Sequence, residues 1–336
     1  MPGDLTTVLA AVICAALVTA AEPVLIPLLR RAAVDMPNGR SSHSVPTPRG
    51  GGAPIAVGLV VAALLIHGTV AVMFALAVAA FGAIGLADDL GSLPAGRRLA
   101  MQGLASLAIA VVLVGRTALP PVLMAAAVIV FGVWLIGFVN AFNFMDGVNG
   151  ISATHALIAG AYYACLGWWR PDALLAVAGA AVAAGALAFL PWNAVHARVF
   201  LGDAGSYGLG VALALLAACA VIRHIPLEAA LAPLAVYLAD TGWTLQRRIR
   251  AGERIFEAHR THTYQRLCDV GWSHQRVTLA TGAVTAAVCL LGAASLTGHP
   301  ALRAAADLTA LGLLAAYLRS PAWLGRASAR PAPEVA

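Results

Sequence analysis

Residues 69–89 read Thr69-Val-Ala-Val-Met-Phe-Ala-Leu-Ala-Val-Ala-Ala-Phe-Gly-Ala-Ile-Gly-Leu-Ala-Asp88-Asp89, an apolar run that stops on two carboxylates. A helix needs roughly 20 such residues to cross a bilayer, so this stretch spans a membrane and presents Asp88 and Asp89 where it leaves. Adjacent carboxylates at a helix C-terminus repel each other and face the negative end of the helix dipole. Something must offset that cost, and a divalent cation or the nearby Arg97-Arg98 pair would do so.

The pattern recurs along the chain. Hydrophobic residues fill 61% of the 336 positions and charged residues only 11%, against roughly 25% charged in a soluble domain. The reading is an all-α, polytopic membrane protein of eleven transmembrane helices, near 5–29, 51–67, 69–87, 99–115, 120–139, 150–168, 172–191, 205–222, 227–245, 276–297 and 301–318. There is no lysine, so all 21 basic residues are arginine. Seventeen fall in alternate loops and the C-terminal tail, and only Arg116, Arg170, Arg223 and Arg303 fall on the other side. Positive charge stays cytoplasmic, which puts the N-terminus in the periplasm and the C-terminus in the cytoplasm. Residues 1–319 read as one transmembrane domain whose polar loops 30–50, 88–98, 140–149, 192–204 and 246–275 all face the cytoplasm. The Pro/Ala/Arg-rich residues 320–336 are expected to form a disordered tail.

Those loops hold nearly all the candidate chemistry. The first carries Ser42-His43-Ser-Val-Pro46-Thr-Pro-Arg49-Gly-Gly. Further on, Asn140-Ala-Phe-Asn143-Phe-Met-Asp146-Gly-Val-Asn149-Gly150 spaces four polar residues three apart. If helical, that spacing stacks them along one face. Phe200-Leu-Gly-Asp203-Ala-Gly-Ser206 precedes a span and offers a carboxylate, backbone amides and a helix N-terminus, a combination suited to phosphate. Asp203 is the best single Mg²⁺ ligand, since that ion uses one or two carboxylates plus phosphate oxygens. In the longest loop, His259 and His262 flank Arg260 and read as a phosphate clamp, because zinc would want more Cys or His at ligand spacing. Asp240 lies inside a span, and a structural ion pair explains it as well as a catalytic role does.

Taken together, these motifs resemble the polyprenyl-phosphate N-acetylhexosamine-1-phosphate transferase superfamily, which includes phospho-N-acetylmuramoyl-pentapeptide transferase. The resemblance runs through His43–Gly52, Asp88-Asp89, Asn140–Gly150, Asn193–Ser206 and His259–Gln265. The stretch His259-Arg-Thr-His-Thr-Tyr-Gln-Arg-Leu, with Gly271-Trp-Ser-His274, looks most like the branch that initiates O-antigen. The resemblance implies transfer of an N-acetylhexosamine 1-phosphate from a UDP-sugar to undecaprenyl phosphate, with release of UMP. It implies Mg²⁺, with Mn²⁺ as a substitute, in a bacterial inner membrane, with the bilayer as environment. No nucleic acid is expected as partner, and a homodimer is compatible with this reading. By motif, Asp203 looks like the metal ligand and Phe200 like the residue that stacks on uracil. Asp88, Asp89, Asp146, His259 and His262 look catalytic. His43, Arg49, Asn140, Asn143, Asn149 and Arg260 look like substrate contacts.

The chain also departs from the family pattern. Asn149 replaces a second aspartate, which puts a further metal ligand there in doubt. A lysine that several relatives carry after the aspartate pair is missing, leaving Arg97 or Arg98 to supply its charge, and His196 stands where proline is frequent. The alternative function is a transporter for a phosphorylated lipid or nucleotide sugar. Such a protein would place its polar groups near the bilayer midplane or in repeated halves, whereas here they gather in loops on one side.

Overall fold

The computed structural model describes residues 3–37, 45–254 and 259–328. The candidate His43 lies outside them. Helix α1 (Gly3–Ala32) leads into two short antiparallel strands, β1 (Val34–Asp35) and β2 (Thr47–Pro48), with Val34 opposite Pro48 and Asp35 opposite Thr47. Helices α2 (Ala53–Leu64), α3 (Thr69–Gly91), α4 (Ala95–Val114), α5 (Pro121–Phe144), α6 (Ile151–Trp169), α7 (Ala173–Asn193) and α8 (Gly202–Ile222) follow. Then come α9 (Leu227–Leu231), a 3-10 turn, α10 (Ala235–Arg250), α11 (Thr263–Asp269), α12 (His274–Ala293), a second 3-10 turn and α13 (Pro300–Ser328).

The protein is an all-helical polytopic membrane protein. Among the described residues, eight helices are long and apolar enough to cross a bilayer: α1, α3, α4, α5, α7, α8, α12 with the turn after it, and α13. The other three expected spans are helical in a different way. Residues 51–67 yield only the 12-residue α2. Helix α6 carries Ser152, Thr154, His155, Tyr162 and Tyr163 and is less apolar. The run 227–245 is broken: Pro226 precedes α9, Pro233 sits in the 3-10 turn, and α10 continues to Arg250. Proline lacks the amide that a continuous helix needs, which accounts for the interruption. At the other end, α13 runs on to Ser328, so the first residues of the expected disordered tail are helical. Tyr317 is buried beside them and Leu324 packs against the core, so this segment has apolar partners that composition alone did not reveal.

Helix α8 is the axis of the molecule. Every residue from Ala204 to Ala220 is buried, and α3 and α5 lie along it. Its small residues let neighbouring backbones approach closely, the usual basis of helix packing in lipid. The N-terminus of α8 is thereby fixed among the ends of α3 and α5 and the segment after β2. The described parts of the loops before α2 and after α3, α5 and α7 meet there, and the loop after α10 joins them through the end of α5, where Tyr264 donates to the Phe144 carbonyl.

Candidate active site

Gly202 opens α8 with a φ of +72°, and a Cβ on it would stand 2.4 Å from the Gly50 amide nitrogen and 2.6 Å from the Asp89 carboxylate. Only glycine accepts both that dihedral and that contact. The turn aims the first amides of α8 at α3: Asp89 accepts from the backbone N–H of Asp203 (3.0 Å) and of Ala204 (2.9 Å). Asp89 is thus a buried acceptor for the positive end of α8, which resolves half of the repulsion expected at the aspartate pair. Asp88 turns the other way. It accepts from the Leu93 amide at 2.7 Å, from Arg98 Nη1 at 2.7 Å and from the Tyr207 hydroxyl at 3.4 Å. Of the two candidate arginines, Arg98 supplies the compensating charge.

Asp203 completes the cluster. Its carboxyl lies against that of Asp88, within 4.0 Å of Arg98 Nη1, and accepts from Asn143 Nδ2 at 2.6 Å. The same Asn143 amide reaches Ser206 Oγ at 2.9 Å, so one side chain of α5 fixes the first turn of α8. Arg49 closes the cluster from the β2 side. Its guanidinium donates to the carbonyls of Asp88 and Asp89 at the end of α3 and stands 3.7 Å from the Asp89 carboxylate. It adds a charged donor at the last carbonyls of α3, of which that of Asp88 also accepts the Ser92 N–H, as a cation at a helix C-terminus should.

The four-fold ladder expected from Asn140 to Asn149 does not form. Helix α5 ends at Phe144, so only Asn140 and Asn143 are helical, and the turn-forming pairs Asp146-Gly147 and Asn149-Gly150 make the loop. Asn140 donates to Gln102 of α4 at 2.8 Å and stands apart from the carboxylates. Asp146 is half-buried near Ser152. Burial, opposed by a Ser152 hydrogen bond and reinforced by the charge of Asp89, pushes its pKa up to about 7. Asn149 and Phe200 line a neighbouring groove of about 770 Å³ that also includes Arg30, His196, Arg198 and His274. The groove wall is held by Asn193, which accepts from Gly150 N–H at 2.7 Å and donates to the Val199 carbonyl at 3.0 Å.

The histidine loop docks on the far end of the same motif. Tyr264 donates to the Phe144 carbonyl at 2.9 Å, and its hydroxyl fills the space that a Cβ on Gly147 would need. His262 is buried, with its ring centroid 5.0 Å from that of His259 and 6.2 Å from that of Phe144. His259 contacts the Arg248 guanidinium, and Arg260 pairs instead with Asp269 at 3.1 Å.

The structure therefore brings Asp88, Asp89, Asn143, Asp203 and Arg49 into direct contact, sets Asp146 beside them, and places Phe200 with Asn149 at the groove. Asn140 and Arg260 are engaged elsewhere. Sequence reasoning passed over Tyr207 and Ser206, whose roles depend on which face of α8 meets α3 and α5, and it left Asp240 aside. Among the described residues there is no group of three His, Cys, Asp or Glu arranged around one metal position. Two carboxylates, Asp88 and Asp203, do face a common cation, the Arg98 guanidinium. A donor pair of that kind fits Mg²⁺, which takes the rest of its shell from water and phosphate.

An all-helical membrane protein with a carboxylate cluster at a helix N-terminus, beside a cation-lined groove, defines a class suited to phosphorylated substrates at a bilayer surface. Comparison with known proteins narrows the class. The model of glycosyl transferase family 4 matches residues 71–221. The probable undecaprenyl-phosphate N-acetylglucosaminyl 1-phosphate transferase of Bacillus subtilis (strain 168) is 31% identical over 277 residues, covering 76% of each chain. The decaprenyl-phosphate N-acetylglucosaminephosphotransferase of Mycobacterium tuberculosis (strain ATCC 25618 / H37Rv) is 30% identical over 342 aligned positions, 88% of this chain and 84% of that one. The phospho-N-acetylmuramoyl-pentapeptide-transferase of Enterococcus faecalis (strain ATCC 700802 / V583) is 33% identical over 147 residues, 43% and 44% of the two chains. The chain belongs to glycosyl transferase family 4, in the superfamily of polyprenyl-phosphate N-acetylhexosamine-1-phosphate transferases that its motifs resemble. The transporter alternative gains no support from these relatives.

Proposed function

We propose that this protein transfers an N-acetylhexosamine 1-phosphate from a UDP-sugar to undecaprenyl phosphate and releases UMP, as the first lipid-linked step of a surface polysaccharide such as O-antigen. The observation that carries the reading is the contact of Asp88, Asp203, Asn143 and Arg98 at the N-terminus of α8. The names of the B. subtilis and M. tuberculosis relatives support the reaction class. Residues 1–319 act as a single transferase domain of eleven membrane-crossing segments in the bacterial inner membrane, N-terminus outside and active site in the cytoplasm. The arginine asymmetry supports that orientation.

The chemistry asks little of a general base. The attacking oxygen belongs to a phosphate monoester whose second pKa is about 6, so it is largely deprotonated at neutral pH. The harder task is to bring two anionic phosphates together. Mg²⁺, or Mn²⁺ in its place, held by Asp203 and Asp88, would supply the charge that neutralises them. Asn143 keeps the Asp203 carboxylate aimed at the common cation position, and Asp89 holds the α8 turn that carries it. Arg98 screens Asp88 from Asp203, so both can stay close before substrates arrive. Phe200, in the lining of the groove, offers a ring for uracil, with Asn149 as a further contact. His43 is assigned to substrate from its motif alone. His259 and His262 take the diphosphate. Purified protein given undecaprenyl phosphate and a panel of UDP-N-acetylhexosamines should release UMP with at least one sugar. No UMP from any of them would refute the reading.

A further inference from the structure

Asp240 is fully buried on α10, yet both of its carboxylate oxygens are in use. Oδ1 accepts the backbone N–H of Thr263 at 2.9 Å and the Thr244 hydroxyl at 3.2 Å, and it lies 3.3 Å from Nδ1 of His262. Oδ2 accepts the hydroxyl of Tyr317, from α13, at 3.2 Å. One side chain thus ties together α10, the N-terminus of α11 and the last helix of the bundle. The Thr263 bond docks the loop on α10, and the Thr244 bond, within α10, orients the carboxylate. The His262 contact does something more specific, because a carboxylate against one ring nitrogen decides which nitrogen carries the proton and how the ring is turned.

We propose that Asp240 is a positioning residue for His262: its carboxylate holds the imidazole with Nδ1 protonated, leaves Nε2 for the substrate, and is itself held by Tyr317. The inference rests on the proposed reaction in assigning His262 a phosphate to meet. His259 stacks on the ring from the same loop, Tyr264 of α11 lies 5.9 Å away centroid to centroid, and Phe144 lies 6.2 Å away. Arg248 of α10 reaches His259, and Gln265 accepts the His262 backbone N–H at 3.2 Å. The Gln265 backbone N–H faces the His262 side chain in return, as in a capping box, so it competes with the Asp240 carboxylate to set the tautomer. Among these described contacts, Asp240 is the one carboxylate that meets the ring.

A double-mutant cycle with the full-length protein, following UMP release from UDP-N-acetylglucosamine and undecaprenyl phosphate, tests the coupling. Asp240→Asn should lower kcat roughly 10–100-fold, the range for a residue that orients a ligating histidine, with little change in KM. Tyr317→Phe should cause a smaller loss of the same kind. In a His262→Ala background neither substitution should cost anything further. Equal losses with and without His262 would overturn the proposal. A second readout needs no turnover: nitrogen chemical shifts of the His262 ring in the substrate-free protein. Wild type should carry the proton on Nδ1, and Tyr317→Phe, which keeps the carboxylate, should retain that tautomer with a weaker preference. A wild-type ring protonated on Nε2 alone would also overturn the proposal. An enzyme that shows the expected tautomer but releases no UMP would count against the reaction and leave the role of Asp240 standing.

Discussion

The carboxylate cluster at the head of α8 and the histidine loop after α10 both pack on the end of α5 but are built differently. The cluster is cross-linked backbone to backbone: Gly51 N–H donates to the Phe200 carbonyl, Gly52 N–H donates to the Leu201 carbonyl, and Gly202 packs on Gly50, with Asp89 and Arg49 adding side-chain bonds to the amides of α8 and the carbonyls of α3. The histidine loop hangs on side chains, chiefly Asp240, Tyr264 and Arg248. Backbone contacts preorganise the first region, as a charge-bearing site requires. The second depends on side chains that a single substitution can remove. The two regions should therefore differ in how far one point mutation loosens them.

The largest effect should follow from removing charge at the first region. Asp203→Asn keeps the size and the hydrogen bond to Asn143 but loses the anion, so turnover should fall about 10³-fold while the protein still elutes as a folded species. Activity within a few-fold of the parent at ordinary Mg²⁺ would remove Asp203 from its proposed role.

Two glycines sharpen the contrast between backbone and side-chain support. Gly202→Ala meets backbone and a positive φ together and should cost about 3 kcal/mol or more, visible as a large drop in melting temperature in detergent. Gly147→Ala meets the end of the Tyr264 side chain rather than backbone and strains no positive φ, and it should cost about 1–3 kcal/mol through loss of the Tyr264 bond to Phe144. The reverse ranking would erase the proposed difference between the regions.

Arg98 tests the cation position directly. If its guanidinium occupies the neighbourhood of the proposed ion, Arg98→Gln should tighten Mn²⁺ binding by roughly tenfold, the order expected for removing one nearby like charge, as read by the free-Mn²⁺ spin resonance signal. Unchanged or weaker binding would show that arginine and ion do not share the two carboxylates.

The smallest effect concerns Asp146. Its folded pKa, pushed up to about 7 by burial, exceeds the unfolded value of about 3.9. Its contribution to stability is therefore present below the unfolded value and lost as pH rises through the folded one. Asp146→Asn is neutral throughout, so its melting temperature relative to the parent should rise between pH 5 and pH 8, measured with a chelator present. Parallel profiles would mean that burial does not disfavour the charge.

The helical, bilayer-crossing character was legible because apolar runs of spanning length report directly on a bilayer. The cluster was legible too, since Asp88-Asp89 and Phe200–Ser206 join chemistry and glycine within short stretches. What stayed hidden depends on three-dimensional packing. The ladder from Asn140 failed because two turn-forming pairs end α5 at Phe144, and spacing alone does not say where a helix stops. Asp240 meets His262 from 22 residues away in the chain and is itself met by Tyr317, 77 residues from it. An isolated acid in an apolar run reads equally as an ion pair or a functional group until its partners are known.

The central claim is that the cluster at α8 serves sugar-phosphate transfer to a polyprenyl phosphate. The most direct test is UMP release by the purified protein, with each substrate omitted in turn. The account predicts release that needs both a UDP-N-acetylhexosamine and undecaprenyl phosphate, and that disappears in Asp203→Asn. UMP formed without the lipid phosphate, or formed equally well by Asp203→Asn, would contradict it.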